Sequence, residues 1–183
     1  MEELDFFIQA SSPKYLCESV EIPESLGEAV EYSFPMLTES MFMTWKGHQI
    51  HLSYKYDLSV IIEDLLELID ELQLPTGEQE VFWGSDTFNG CWKLRWKDGQ
   101  LKVQADWRDV GAGLEKLLAT ELAIPVGHFV AEWKRPLGIV YSALKAAEYT
   151  VEQLPGLQTL KDVYEALPHE GVLYRSYQGG VRH

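Results

Sequence analysis

Two residues, Asp98-Gly99, set between Cys91-Trp92-Lys93-Leu94-Arg95-Trp96 and Gln100-Leu101-Lys102-Val103, constrain this chain more than any other feature. An Asp-Gly pair flanked by alternating apolar residues selects a two-residue hairpin turn, because both central positions need a positive φ that aspartate and glycine tolerate. The phrase has an earlier echo. Trp45-Lys46, followed by Gln49-Ile50-His51-Leu52 and Tyr56, returns 51 residues later as Trp96-Lys97, followed by Gln100-Leu101-Lys102-Val103 and Trp107. In the first copy Lys46-Gly47-His48-Gln49 supplies the turn. Period-two alternation places Met41, Met43 and Trp45 opposite Phe42 and Thr44, and Trp92, Leu94 and Trp96 on one face.

After each hairpin the apolar spacing changes from two to about 3.6, which predicts amphipathic helices over Leu58 to Leu72 and Val110 to Leu122. Each ends in a similar phrase, Glu71-Leu72-Gln73-Leu74-Pro75 and Glu121-Leu122-Ala123-Ile124-Pro125, with proline as the stop. Two copies are too few for a solenoid, which needs about three units. The expectation is one pseudo-duplicated domain over 1–183, with units at about 5–75 and 80–125. Further strands are expected at Asp5 to Ala10, Glu18 to Ile22, Tyr32 to Met36, Glu80 to Gly84 and His128 to Trp133. Helices are expected at Leu137 to Tyr149 and Leu157 to Leu167, before a loose tail over 169–183 that ends in Gly179-Gly180-Val181-Arg182-His183. The fold class is α+β, with two antiparallel sheets and packed helices. This element order resembles the whirly-type arrangement, an analogy that carries no function.

Charge is distributed unevenly. The chain has 29 acidic and 15 basic side chains in 183 residues, a net charge of −14. Up to Glu80 there are 17 acidic and 3 basic residues, and beyond it 12 of each, so the excess is wholly N-terminal. Such asymmetry predicts one acidic face. It opposes bulk electrostatic binding to nucleic acid or anionic membrane, both of which are held by Lys and Arg. Cys17 and Cys91 have no metal or disulfide spacing, the N-terminus lacks a secretory pattern, and no run approaches the ~18 apolar residues of a membrane helix. A cytoplasmic location is expected.

The helix over Leu58 to Leu72 concentrates the acidic excess. Leu58, Ile61, Ile62, Leu65, Leu68, Ile69 and Leu72 form its apolar stripe, and Glu63, Asp64, Glu67, Asp70 and Glu71 form the other face. No Lys or Arg occurs between Tyr56 and Lys93. Glu63 with Glu67, and Glu67 with Glu71, are like-charge i,i+4 pairs, and Asp70 and Glu71 oppose the helix dipole. Together these cost roughly 1–2 kcal/mol. One reading is a solvated face outweighed by the apolar stripe. The other is a docking surface for a basic protein, favoured by the mixed charges Glu115, Lys116 and Glu121 in the second copy.

Familiar catalytic and ligand patterns are missing. His48 and His51 fall on opposite faces of a strand, and His128, His169 and His183 have no ligand-spaced partner, so no metal is expected. There is no phosphate-binding glycine loop, nucleophile elbow or H-E-x-x-H, so no cofactor and no enzymatic activity are expected. The run from Phe82 through Ser85-Asp86-Thr87 to Asn89-Gly90 and Trp92 reads as a pocket rim or as turn chemistry. Trp45, Trp83, Trp92, Trp96, Trp107 and Trp133 read as core or inter-sheet packing. Base stacking is the competing use, and with the cations of the Lys93 to Lys102 hairpin it defines the alternative of a single-stranded nucleic-acid-binding module. A small-ligand-binding protein is a third reading.

The acidic face from Glu63 to Glu71 and the acidic stretch Glu18 to Glu31, in a small aromatic-rich α+β chain, are similar in character to bacterial immunity proteins of contact-dependent and other polymorphic toxin systems. The resemblance implies a cytoplasmic acidic inhibitor that caps a basic toxin domain, a ribonuclease by expectation. It makes no direct nucleic-acid or membrane contact. The partner-binding residues expected from the charge pattern are Glu63, Asp64, Glu67, Asp70 and Glu71, with Glu24 and Glu28 from an acidic loop.

Overall fold

The computed structural model describes residues 5–18, 22–111 and 113–168. Both hairpin turns have the backbone their residues allow. Asp98 and Gly99 sit at φ 51° and 75°, and Lys46 and Gly47 at 48° and 81°, so each is a two-residue turn with both centres left-handed. The first turn is therefore centred on Lys46-Gly47, one residue earlier than the tryptophan repeat implies. Trp45 pairs with His48 next to its turn, whereas the equivalent place in the second hairpin is Lys97, paired with Gln100. Because side chains alternate across a strand, that one-residue offset reverses the faces. Trp45 points inward and Lys97 outward.

Strands β1 (Phe6–Gln9), β2 (Met41–Trp45) and β3 (His48–Leu52) form one antiparallel sheet in that order. A second antiparallel sheet is a meander of β4 (Thr76–Gly84), β5 (Asn89–Lys97), β6 (Gln100–Asp109) and β7 (Glu121–Pro125). The helices are α1 (Leu26–Ser33), α2 (Ser59–Glu71), α3 (Val126–Glu132), α4 (Lys134–Ala146) and α5 (Gly156–Ala166), with a π-helical turn at Tyr54–Leu58 leading into α2. This is the α+β class with two antiparallel sheets.

The sheets meet through aromatic rings. Trp92 of β5 lies 5.1 Å from Trp45 of β2, 5.1 Å from Trp83 of β4 and 5.6 Å from Trp107 of β6, centroid to centroid. Phe129 of α3 stacks on Phe6 of β1 at 5.0 Å. All six tryptophans are buried. Edge-to-face pairs of this kind contribute about 0.5–1.5 kcal/mol each beyond burial. The rings are core, not a stacking platform.

Four sequence expectations are overturned. Where a helix was expected over Val110 to Leu122, a 3-10 turn at Leu114–Lys116 leads into β7. Gly111 and Gly113 take φ 76° and 72°, which breaks a right-handed helix. The Ala119 carbonyl accepts the indole N–H of both Trp45 and Trp107, at 2.7 and 3.2 Å. Leu122 and Ile124 then pair with Val103 and Leu101, so sheet pairing overrides a helical spacing that leaves Leu117 exposed. The pseudo-duplication therefore ends at the second hairpin.

The strand expected at His128 to Trp133 is α3. A short apolar run does not distinguish strand from helix by periodicity, and a helix lets one face serve the edge of β1. His128 Nε2 donates to the Phe6 carbonyl at 2.7 Å, and one turn later Glu132 accepts the Ile8 N–H at 2.8 Å. These bonds occupy edge groups that would otherwise invite another strand.

The strand expected at Tyr32 to Met36 is instead the end of α1 and the turn beyond it. Phe34, ahead of Pro35, is extended at φ −112° and ψ 126°, as a residue before proline prefers. Glu28, expected in a loop, lies in the first turn of α1. The strand expected at Glu18 to Ile22 falls largely outside the described residues. So do the tail over 169–183, His169 and His183.

Candidate functional site

The acidic helix forms where its apolar stripe requires. Ile61, Ile62, Leu65, Leu68 and Ile69 are buried, and Glu63, Asp64, Glu67, Asp70 and Glu71 are exposed. No basic residue lies in the last turn of α2, so the dipole penalty on Asp70 and Glu71 is unrelieved.

Beside this face α5 packs against α2 and leaves a groove of about 710 Å³. Its α2 wall carries Glu63, Leu66 and Asp70, spaced i, i+3, i+7, with Glu67 on the rim and Gln73 from the turn that follows. The α5 wall carries Gly156, Thr159, Val163 and Ala166, spaced i, i+3, i+7, i+10, with Asp162 on its rim. Leu26, Ile69 and Leu167 complete the floor. Among the described residues no Lys, Arg or His lines it. Among the described residues the ion pairs are Lys46–Asp5, Lys93–Glu80, Arg95–Glu78 and Arg108–Asp106, so none neutralises a groove carboxylate.

The structure thus divides the expected set. Glu63, Glu67 and Asp70 line the groove; Asp64 and Glu71 lie on the open flank of α2. Asp162 joins the site unforeseen, because helix packing brings it there and nothing local in its sequence marks it. Glu24 is exposed beside the N-terminus of α1. Two carboxylates also have structural work. Glu28 accepts the Glu24 N–H at 2.7 Å while Ser25 Oγ accepts the Glu28 N–H at 3.1 Å, a variant of the capping box. Glu63 reaches across from α2 to accept the Leu26 N–H at 3.1 Å, which satisfies another free donor of α1. Ser25-x-x-Glu28 was the signal for this helix start.

Elsewhere, Asp57 of the π-helical turn is fully buried and gathers three donors. The Ser53 N–H is at 2.7 Å, the Thr87 hydroxyl at 2.7 Å, and the Ser85 hydroxyl also points at it. The loop after β4 is therefore turn chemistry fastened by a carboxylate. Lys134 is also buried. Its Nζ donates to the carbonyls of Leu167, at 3.0 Å, and Tyr164, and lies 4.2 Å from the Tyr164 ring centroid. A buried cation here caps the C-terminus of α5.

Burial pushes the Cys91 thiol up to about 11, helped by the carboxylate of Glu80, whose Oε1 is 3.1 Å from Sγ. Such a thiol is a poor nucleophile. His51 points to the open face of its sheet, edge-on to Phe42 at 5.5 Å, and His48 to the other face. Among the described residues no three His, Cys, Asp or Glu side chains are grouped to hold a metal. Likewise, no helix among them is long and apolar enough to cross a membrane. Comparison with protein-family models, curated proteins and solved structures gives no match.

Proposed function

We propose that this chain is an immunity-type inhibitor that binds a basic toxin domain, a ribonuclease acting in the same bacterial cytoplasm, and neutralises it without chemistry of its own. The observation that carries this reading is the single-signed groove between α2 and α5. Three of the α2 carboxylates and Asp162 line it, and among the described residues no cation does and none of the four is in an ion pair. A fold that keeps these like charges adjacent retains a destabilising arrangement that a basic partner relieves. Carboxylates imitate the phosphates a nuclease binds, and their field steers association toward about 10⁸ M⁻¹s⁻¹ at low salt. Of the cations of the Lys93 to Lys102 hairpin, Lys93 and Arg95 lie beside Glu80 and Glu78, and the buried tryptophans offer no face to a base.

The test is affinity capture of basic domains from the native lysate, washed at about 1 M salt, where the Debye length falls to ~3 Å. An RNA-cleavage assay of the captured domain, with and without added protein, follows. The expected result is one retained basic nuclease whose cleavage stops at equimolar inhibitor. A captured domain that cleaves RNA equally well in the complex would overturn the reading.

A further inference from the structure

We infer that the groove between α2 and α5 receives about three turns of a single cationic amphipathic helix from the partner, laid alongside both helices as a third. This inference rests on the reading that the acidic face binds a basic protein, and it specifies the shape that face recognises.

The walls are helical stripes, i, i+3, i+7 on α2 and i, i+3, i+7, i+10 on α5, the pattern into which a third helix packs its ridges. On the α5 side the exposed positions Thr159 and Ala166 are small, so a helix backbone approaches closely there, while Gly156 is half-buried against Leu26. The apolar floor meets an apolar face, and Glu63, Glu67, Asp70 and Asp162 along the rims meet Lys or Arg on its flanks. Gly156 to Leu167 spans about 16 Å at ~1.5 Å per residue, which sets the occupant at about 11 residues. A strand or loop would leave the paired stripes unused.

The probe is a capped 14-residue Lys/Leu peptide designed as an amphipathic helix, labelled for fluorescence anisotropy, beside a scrambled peptide of equal composition and charge. The full chain is compared with Thr159→Trp and Ala166→Trp, which fill the groove at exposed positions, with Ala166→Ser, and with the Glu67→Lys/Asp70→Lys double variant. The expected result is at least tenfold tighter binding of the amphipathic peptide than of the scramble. Either tryptophan abolishes that preference, and Ala166→Ser retains it.

If charge reversal abolishes binding while both tryptophan variants bind as tightly as the native chain, the acidic-face reading stands and the groove inference fails. If neither kind of change affects binding, both fail. Binding that appears only after removal of 169–183 would make the chain's own C-terminal segment the occupant and overturn the inference. A dimer that Ala166→Trp dissociates would do the same by assigning the groove to a second copy.

Discussion

Replacing Asp57 with alanine tests whether one buried carboxylate fastens the β4–β5 loop to the start of α2. The side chain has no solvent exposure, and each of its three donors loses something different. Thr87 is exposed and rehydrates at little cost. Ser85 is buried but keeps the Phe88 N–H at 2.9 Å as a partner, so it loses about 1 kcal/mol. The half-buried Ser53 N–H loses its only side-chain acceptor, at roughly 1–3 kcal/mol. The expected destabilisation is about 2–4 kcal/mol, and with a urea m-value near 2 kcal/mol/M the midpoint falls by about 1–2 M. Asp57→Asn keeps an acceptor toward Ser85 and Thr87 but turns an amide N–H₂ on the Ser53 N–H, so it falls between. In a double-mutant cycle with Ser85→Ala the two losses are expected to be sub-additive by about 1 kcal/mol. A midpoint within about 0.2 M of the native value, equivalent to about 0.4 kcal/mol, or strict additivity with Ser85→Ala, would show that Asp57 does not fasten this loop.

Three further outcomes follow from particular contacts. Glu132→Ala leaves the buried Ile8 N–H without its carboxylate, so a loss of about 1–3 kcal/mol is expected in urea unfolding, with faster amide exchange at Ile8. Gly77→Ala places a Cβ 2.3 Å from the Trp96 indole, which lies over that glycine from the facing strand. Displacing the ring breaks its 3.0 Å bond to the Leu74 carbonyl, for an expected loss of about 1–3 kcal/mol, and near-ultraviolet circular dichroism reads the ring movement. Cys91, raised to about 11 from its ordinary 9.0, stays a thiol in the folded protein at pH 8, while Cys17 is exposed. A thiol-specific reagent is expected to titrate one group quickly and the second only on unfolding. Because the folded-state value is the higher one, the stability contributed by the protonated thiol is complete below pH 9 and is lost as pH rises toward 11.

Local rules made the hairpins and α2 legible. Asp98-Gly99 states its turn in the residues themselves, Gly47 marks the other turn although its centre lies one residue earlier than the repeat implies, and the α2 stripe from Leu58 to Leu72 is long enough to be unambiguous. Failures came where distant partners decide. Val110, Leu114, Leu118 and Leu122 keep helical spacing, yet Leu122 and Ile124 are claimed by β6 and the Ala119 carbonyl by two indoles from different sheets. The run His128 to Trp133 has no period to read, and its fate follows from the open edge of β1, more than a hundred residues away in the chain. The start of α1 is legible in Ser25 and Glu28, three residues apart, although Glu28 also belongs to the acidic stretch. At the site, charge pattern located Glu63, Glu67 and Asp70, whereas the groove they border and the contribution of Asp162 exist only once α5 packs on α2.

The most direct test of the groove compares two variants with the same change in net charge: Glu67→Lys/Asp70→Lys/Asp162→Lys in the groove, and Glu78→Lys/Asp86→Lys/Glu121→Lys on and around the second sheet. Each is titrated calorimetrically against the captured basic domain at about 0.15 M salt, where the Debye length is ~8 Å. The expected result is a loss of at least a hundredfold in affinity for the groove variant and less than fivefold for the other, with native circular dichroism for both. Equal losses would reduce the acidic face to a contribution to overall charge, and an unchanged groove variant would contradict the site outright.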